Sequence, residues 1–200
     1  MSNHYYSSKP ESKHEIREIK AQLRGNELSF QSDAGVFSKK GIDFGSRLLI
    51  ESAQLTGHEH ILDLGCGYGP VGIALAKAYP SVKVQMVDIN ERATVLAKEN
   101  ARANQVSNQI TVKVSDGFEQ LKGQKFDAIL CNPPIRVGKT FVYQLFQQAR
   151  QHLSDSGALW IVIRKQQGAA SAKEELTRLY DHVEQVAQKK GYCIFLSKNN

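Results

Sequence analysis

Ile61-Leu62-Asp63-Leu64-Gly65-Cys66-Gly67-Tyr68-Gly69-Pro70 is the stretch on which the fold turns. An apolar run ends in an acid, three glycines alternate behind it, and a proline follows. Glycine reaches positive φ without a Cβ clash and lets the backbone approach a ligand closely. Proline suits the first helical position, where its missing N–H would find no helical partner anyway. The stretch therefore predicts strand, tight turn and helix, with a ligand crevice at the strand's carboxyl end. Downstream, short apolar runs alternate with amphipathic ones: VKVQMVD then ERATVLAKENARAN, ITVKV, FDAILC then TFVYQLFQQARQHL, and ALWIVIRK then SAKEELTRLY. That alternation predicts an α/β fold, a mostly parallel sheet with helices on both faces. The last two runs, HVEQVAQ and YCIFLS, are separated only by Lys189-Lys190-Gly191. They must pair antiparallel, because a parallel pair needs a crossover of roughly a dozen residues or more.

Upstream, His14–Leu23 and Glu27–Asp33 flank Arg24-Gly25-Asn26, and the Gly-Asn step marks a hairpin over 14–33. Residues 43–55 carry Leu48, Leu49, Ala53 and Leu55 at helical spacing. Residues 1–13 are polar and are expected to be a flexible arm, leaving 14–200 as one domain. With 200 residues, 41% of them hydrophobic and 23% charged, the chain can bury a core without a disulfide or metal staple. No apolar run reaches the roughly 18 residues of a membrane span. The start, MSNHYYSSKPESKHE, lacks the apolar segment of a secretory signal, so the expected location is cytoplasmic. Cys66, Cys131 and Cys193 are scattered and odd in number, which argues against a disulfide framework and against a zinc site.

Two cofactors fit the glycine turn. Gly67-x-Gly69-x-x-Gly72 matches the dinucleotide fingerprint, yet the turn begins earlier, at Gly65. S-adenosyl-L-methionine fits an acid at the first strand end, Asp63, and a second at the next strand end, Asp88, followed by Ile89 and Asn90. Asp88 suits the ribose of either cofactor. Asp116-Gly117-Phe118 follows the third strand and offers an acid for an adenine amino group. The fourth strand ends in Asn132-Pro133-Pro134, where two prolines stiffen the turn and hold the residue before them extended.

At these residues the chain resembles the class I S-adenosylmethionine-dependent methyltransferases that modify amino groups. It is most similar to the bacterial 16S ribosomal RNA guanine-N2 methyltransferase family in single-domain form. Gly35-Val36-Phe37-Ser38, Asp43-x-Gly-Ser46, the 63–69 loop, Asn132-Pro-Pro-Ile-Arg-x-Gly-Lys139 and Gly157-x-Leu-Trp-Ile-Val-Ile163 carry the likeness. It implies a Rossmann-like seven-stranded sheet with the last strand antiparallel, and S-adenosylhomocysteine as product. It also implies a cofactor site of Asp63, Gly65, Cys66, Gly67, Gly69, Asp88, Ile89, Asn90, Asp116, Gly117, Phe118 and Asn132. Asn132, Pro133 and Pro134 would be catalytic. The Asn132 side-chain oxygen and the Pro133 carbonyl would accept from the target amine, on a base extruded from its stack. Ribosomal RNA or the small ribosomal subunit would be the partner. Adenine or cytosine amines, protein glutamine, a nicotinamide oxidoreductase and a non-catalytic RNA module are the alternatives.

Two departures matter. Ile135, in the expected RNA-binding set, stands where the family usually has an aromatic for the base, so Arg136 or Phe37 is the expected substitute, and Phe37 with Ser38 is expected to help close the pocket. The related enzymes are often double, whereas this chain has one half. Charge supports an RNA partner. The formal net charge is +6, and residues 136–200 hold ten Lys and Arg against five Asp and Glu. Arg136, Lys139, Arg164 and Lys165 are expected on the rim of the site, because parallel neighbours end on the same edge. Lys189 and Lys190 are left outside that rim.

Overall fold

A computed structural model of the chain describes residues 15–34, 36 and 41–199. Phe37, Ser38, Gly35 and the expected arm over 1–13 lie outside the described residues.

The chain enters as a hairpin, β1 (Arg17–Leu23) and β2 (Asn26–Ser32). Leu23 pairs with Asn26, so the turn is Arg24-Gly25, one residue earlier than the Gly-Asn step suggests. Both turn residues have positive φ, 47° and 77°, as a two-residue turn between twisted strands requires. Arg24 tolerates this because its side chain is anchored. Its guanidinium donates to the carbonyls of Ile50 (2.6 Å) and Ala53 (2.8 Å) and lies over the Tyr79 ring. Those carbonyls end α1 (Phe44–Ser52), where helix acceptors lack partners of their own.

Five strands run parallel: β3 (His60–Leu64), β4 (Lys83–Asp88), β5 (Ile110–Val114), β6 (Phe126–Cys131) and β7 (Leu153–Arg164). Helices α2 (Pro70–Ala78), α3 (Glu91–Ala103), α4 (Lys139–His152) and α5 (Ala169–Leu179) connect them or follow them. The chain closes with β8 (His182–Lys189) and β9 (Tyr192–Lys198). The sheet order is β5-β4-β3-β6-β7-β9-β8, and β9 is antiparallel to both its neighbours. It is the seven-stranded arrangement the sequence predicts.

Alternation along the strands splits the core in two. Ala128 and Leu130 face a cluster with Leu49, Ile73 and Leu96, under α1, α2, α3 and the hairpin. Ile129 and Cys131 face the other side, against Phe146 of α4 and Leu176 of α5. Gly72 permits the close approach of α2 to β4: a Cβ there would meet the Met86 sulfur at 2.5 Å.

The hairpin is docked by two buried asparagines, Asn100 in the last turn of α3 and Asn104 at its C-cap. Asn100 accepts from the Gln31 N–H (2.7 Å) and donates to the Gln31 carbonyl (2.9 Å) and to the Tyr68 carbonyl (2.9 Å). Asn104 makes the same pair with Ser29 (3.1 and 2.7 Å). Two side-chain amides thus act as a neighbouring strand, and Asn100 also ties the hairpin to the glycine turn. Truncating Asn100 strands several backbone groups, at about 1–3 kcal/mol per buried group. Asn100→Ala is expected to lose about 2–4 kcal/mol of stability in denaturant titrations. Trp160, the single tryptophan, serves as the probe. The exposed Lys98→Ala should stay within about 0.5 kcal/mol of wild type.

Candidate active site

The carboxyl ends of β3, β4 and β6 meet at a cavity of about 290 Å³. Its floor is the glycine turn. Gly65, Gly67 and Gly69 all have positive φ (73°, 56° and 95°). A Cβ on Gly65 or Gly67 would meet nothing within 4 Å, whereas on Gly69 it would strike Ile73 at 2.9 Å. Gly65 and Gly67 thus leave room for a ligand, while Gly69 serves helix packing and does not line the cavity.

Two carboxylates, the buried Asp63 and the half-buried Asp88, hold the turn in place. Asp63, 3% exposed, accepts from the Gly72 N–H at 2.8 Å. Gly72 lies in the first turn of α2, whose N-cap is Gly69 with no side chain to offer, so Asp63 caps that helix from the neighbouring strand. Burial pushes its carboxyl up to about 7, against the Gly72 hydrogen bond and with the Asp88 charge adding to the rise. Asp88 accepts from the Gly67 N–H (2.8 Å) and the Asn90 N–H (2.9 Å). Burial also raises the Asp88 carboxyl, and those backbone donors oppose it. Asn90 in turn caps α3 through the Arg92 and Ala93 N–H groups.

Asn132 is fixed from the side of α1. Its Nδ2 donates to the Ser46 hydroxyl (3.0 Å) and, at 3.4 Å, to an Asp43 carboxylate oxygen. A carboxylate only accepts, so the amide nitrogen must face Asp43, and this settles which end of the amide remains for a ligand. Asp43 is also the N-cap of α1, accepting from the Ser46 N–H at 3.1 Å. The Pro133 carbonyl accepts from the Ile135 N–H (2.9 Å), which uses one of its two lone pairs.

Of the residues singled out by sequence, Asp63, Gly65, Cys66, Gly67, Asp88 and Ile89 line the cavity, with Asn90, Asp116, Gly117, Asn132, Pro133 and Pro134. Phe118 does not. After Gly117, at φ 50°, the chain folds back and Phe118 stacks on His152 (4.7 Å) within the second core cluster. Ile135 likewise packs against that cluster and is absent from the cavity wall. Arg136, Lys139, Arg164 and Lys165 are exposed, outside the lining. They share its edge: Lys139 lies within 3.8 Å of the position a Gly168 Cβ would take, just past β7. Burial raises the Cys66 and Cys131 thiols, beside the carboxylates, so both stay neutral. Among the described residues no cluster of His, Cys, Asp and Glu forms a metal site.

The lining also holds Val36, Asp43, Ser46, Val137, Phe141 and Leu145, none of which sequence reasoning assigned to a ligand. Asp43 and Ser46 carry part of the family likeness, and that motif is the signal that could have marked them. Phe141, in the first turns of α4, gives the cavity the aromatic surface that Ile135 withholds.

The model of one family, the methyltransferase small domain, matches residues 27–196. This chain is a member of the methyltransferase small-domain family. The family's cofactor is S-adenosyl-L-methionine, and the chain's residues fit it: open space over Gly65 and Gly67, and acids on β4 and after β5. The methyltransferase domain is 48% identical over 200 residues to the uncharacterized protein YbxB of Bacillus subtilis, covering 99% of each chain. It is 35% identical over 176 residues to the ribosomal RNA large subunit methyltransferase G of Pseudomonas putida, covering 86% of this chain and 46% of that protein. The solved T. thermophilus 16S rRNA N2 G1207 methyltransferase, in complex with AdoMet and guanosine, matches at TM-score 0.83 and 24% identity. It covers 96% of this chain and 52% of that one, and the likeness shows the shared fold. The methyltransferase domain thus spans about half the length of these last two proteins.

The raised Asp63 carboxyl has a consequence for stability. Its folded value near 7 exceeds the 3.8 of the free group, so between these the folded state binds the extra proton. Stability contributed at this position is full below about pH 4 and falls as pH rises through 7. Asp63→Asn keeps an acceptor for Gly72 without a charge to bury. Its unfolding free energy should fall less than wild type between pH 4 and 8. Parallel curves for the two proteins would contradict the assignment.

Proposed function

We propose that this domain is an S-adenosyl-L-methionine-dependent N-methyltransferase whose target is the exocyclic N2 amine of a guanine in 16S ribosomal RNA. The arrangement of Asn132 carries this reading. An exocyclic amine is a weak nucleophile because its lone pair is delocalised into the ring. Two acceptors on its N–H bonds draw the nitrogen toward tetrahedral geometry and free the pair. Asn132 Oδ1 is one, released for this because Nδ2 is committed to Ser46 and Asp43. The remaining lone pair of the Pro133 carbonyl is the other. When bound, the cofactor supplies a methyl on a sulfonium, an electrophile that needs no further activation. The residues mainly position the amine. No strong base is required, since the methylated amine is acidic and loses its proton to water.

Asp88 keeps acceptor capacity beyond its backbone donors, which include Gly67 and Asn90, and this suits the ribose hydroxyls. Ile89 packs on the adenine and Asp116 takes its amino group. Phe141 offers a ring face to the extruded base. Arg136, Lys139, Arg164 and Lys165 supply phosphate contacts around it. Small-subunit RNA is favoured by the likeness to the 16S enzyme, which covers nearly the whole chain. A second reading, the same chemistry on large-subunit RNA, is favoured by the Pseudomonas relative, which is more similar in sequence.

Labelled cofactor incubated with both ribosomal subunits, and with their extracted RNAs, tests the reading. Label should pass to RNA. Asn132→Ala should lower the rate on the order of 10²–10³-fold, the cost of removing one positioned polar partner of a transition state. No transfer to any RNA, or an Asn132→Ala enzyme as fast as wild type, would contradict it.

A further inference from the structure

The turn Lys189-Lys190-Gly191 does not lie apart from the site. Because β9 runs antiparallel to β7, Tyr192 pairs with Arg164 at the edge where β7 ends. The Lys165 N–H donates to the Gly191 carbonyl at 2.7 Å, so the turn is bonded to the segment leaving β7. The turn therefore stands on the same edge as the cavity.

Two aromatic rings support cations there. The Arg164 guanidinium carbon lies 5.4 Å from the Tyr192 ring centroid, and Lys190 Nζ lies 5.0 Å from that of Phe44. The two rings contact each other, 5.7 Å between centroids. Tyr192 also presses on the start of α1: a Cβ on Gly45 would come within 3.0 Å of the ring and 3.1 Å of the Asp43 carboxylate. That explains the glycine in Asp43-x-Gly-Ser46. It also places the platform against the residues that hold Asn132.

Charge along β7, β8 and β9 is sorted by edge; Asp43 of the neighbouring helix start is the acid beside Tyr192, and it is committed to the Ser46 N–H and Asn132. Arg164, Lys165, Lys189 and Lys190 are exposed, and none pairs with an acid among the described residues. Asp155 and Asp181 belong to the opposite edge, near the amino ends of β7 and β8. Four cations without counter-charges, two of them held over rings, suit a chain of phosphates.

We propose that the β8–β9 turn, with Arg164 and Lys190 held on Tyr192 and Phe44, binds the phosphate backbone of the RNA strand that flanks the extruded base. This rests on the RNA reading above and extends it. A ring beneath a cation limits its freedom without neutralising it, leaving its outer side for a phosphate or a base.

A fluorescein-labelled single-stranded RNA of mixed sequence, titrated by anisotropy across a salt series, tests this. Lys189→Ala with Lys190→Ala should weaken binding and flatten the slope of log K against log salt by about 1.4, at about 0.7 per lost contact on a single strand. Tyr192→Leu carries no charge change, yet should weaken binding roughly 2- to 30-fold, while Tyr192→Phe keeps wild-type affinity. S-adenosylhomocysteine affinity checks that each variant is folded. An unchanged slope in the lysine variant, equal losses in Tyr192→Phe and Tyr192→Leu, or preference for polyglutamate over RNA would overturn the proposal. Methyl transfer separates the two claims. If wild type methylates RNA and the lysine variant shows an unchanged KM, this inference fails and the reading stands. If the binding losses appear while wild type methylates no RNA, the surface stands and the reading fails.

Discussion

Two carboxylates, one buried and one half-buried, hold the carboxyl edge of the sheet together. Asp63 caps α2 across the turn through Gly72, and Asp88 takes the Gly67 and Asn90 N–H groups. The glycine turn, with three positive φ values, keeps one bond of its own, from the Gly69 N–H to the Cys66 carbonyl (2.9 Å), and its other donors use acceptors placed beside it: the Val87 carbonyl and Asp88. Both acids sit at strand ends whose positions the parallel ladder fixes, with Asp63 opposite Met86 in the register. Burial raises both carboxyls, a cost borne where the cavity needs a rigid floor.

The asparagine that follows β6 obeys the same logic from the other side. Asn132 leaves β6 into two prolines, which restrict its backbone, and α1 restrains its side chain through Asp43 and Ser46. The helix cap and the orientation of the amide are one interaction. Tyr192 closes the arrangement from β9 by filling the space over Gly45. Residues from the start, middle and end of the chain thereby converge on one amide.

Much of this was legible in the sequence because local chemistry and tertiary placement agree there. His60–Leu64 and Phe126–Cys131 are apolar runs bounded by turn residues, and both form strands with those limits. Pro70 and Asn90 start helices as their chemistry predicts. The hairpin turn sits one residue early because the side chain of Arg24, anchored on α1 and Tyr79, lets that residue take positive φ. Phe118 and Ile135 follow motif residues directly, yet neither lines the cavity: a turn sends each side chain to the far core, which spacing alone does not reveal. The roles of Asp43, Ser46 and Phe141 depend on contacts across nearly ninety residues or on a helix face. The rim position of Lys189 and Lys190 needed the insertion of β9 beside β7, a choice of strand order that the short connection left open.

The proposed chemistry has one product, a methyl group on the N2 amine of a guanine. Mass spectrometry of nucleosides from 16S RNA treated with the protein and S-adenosyl-L-methionine reports base and methyl position together. The expected product is N2-methylguanosine, absent when Asn132 is replaced by alanine. Methylation at a ring nitrogen, a ribose hydroxyl or a carbon, or no modified nucleoside at all, would contradict it.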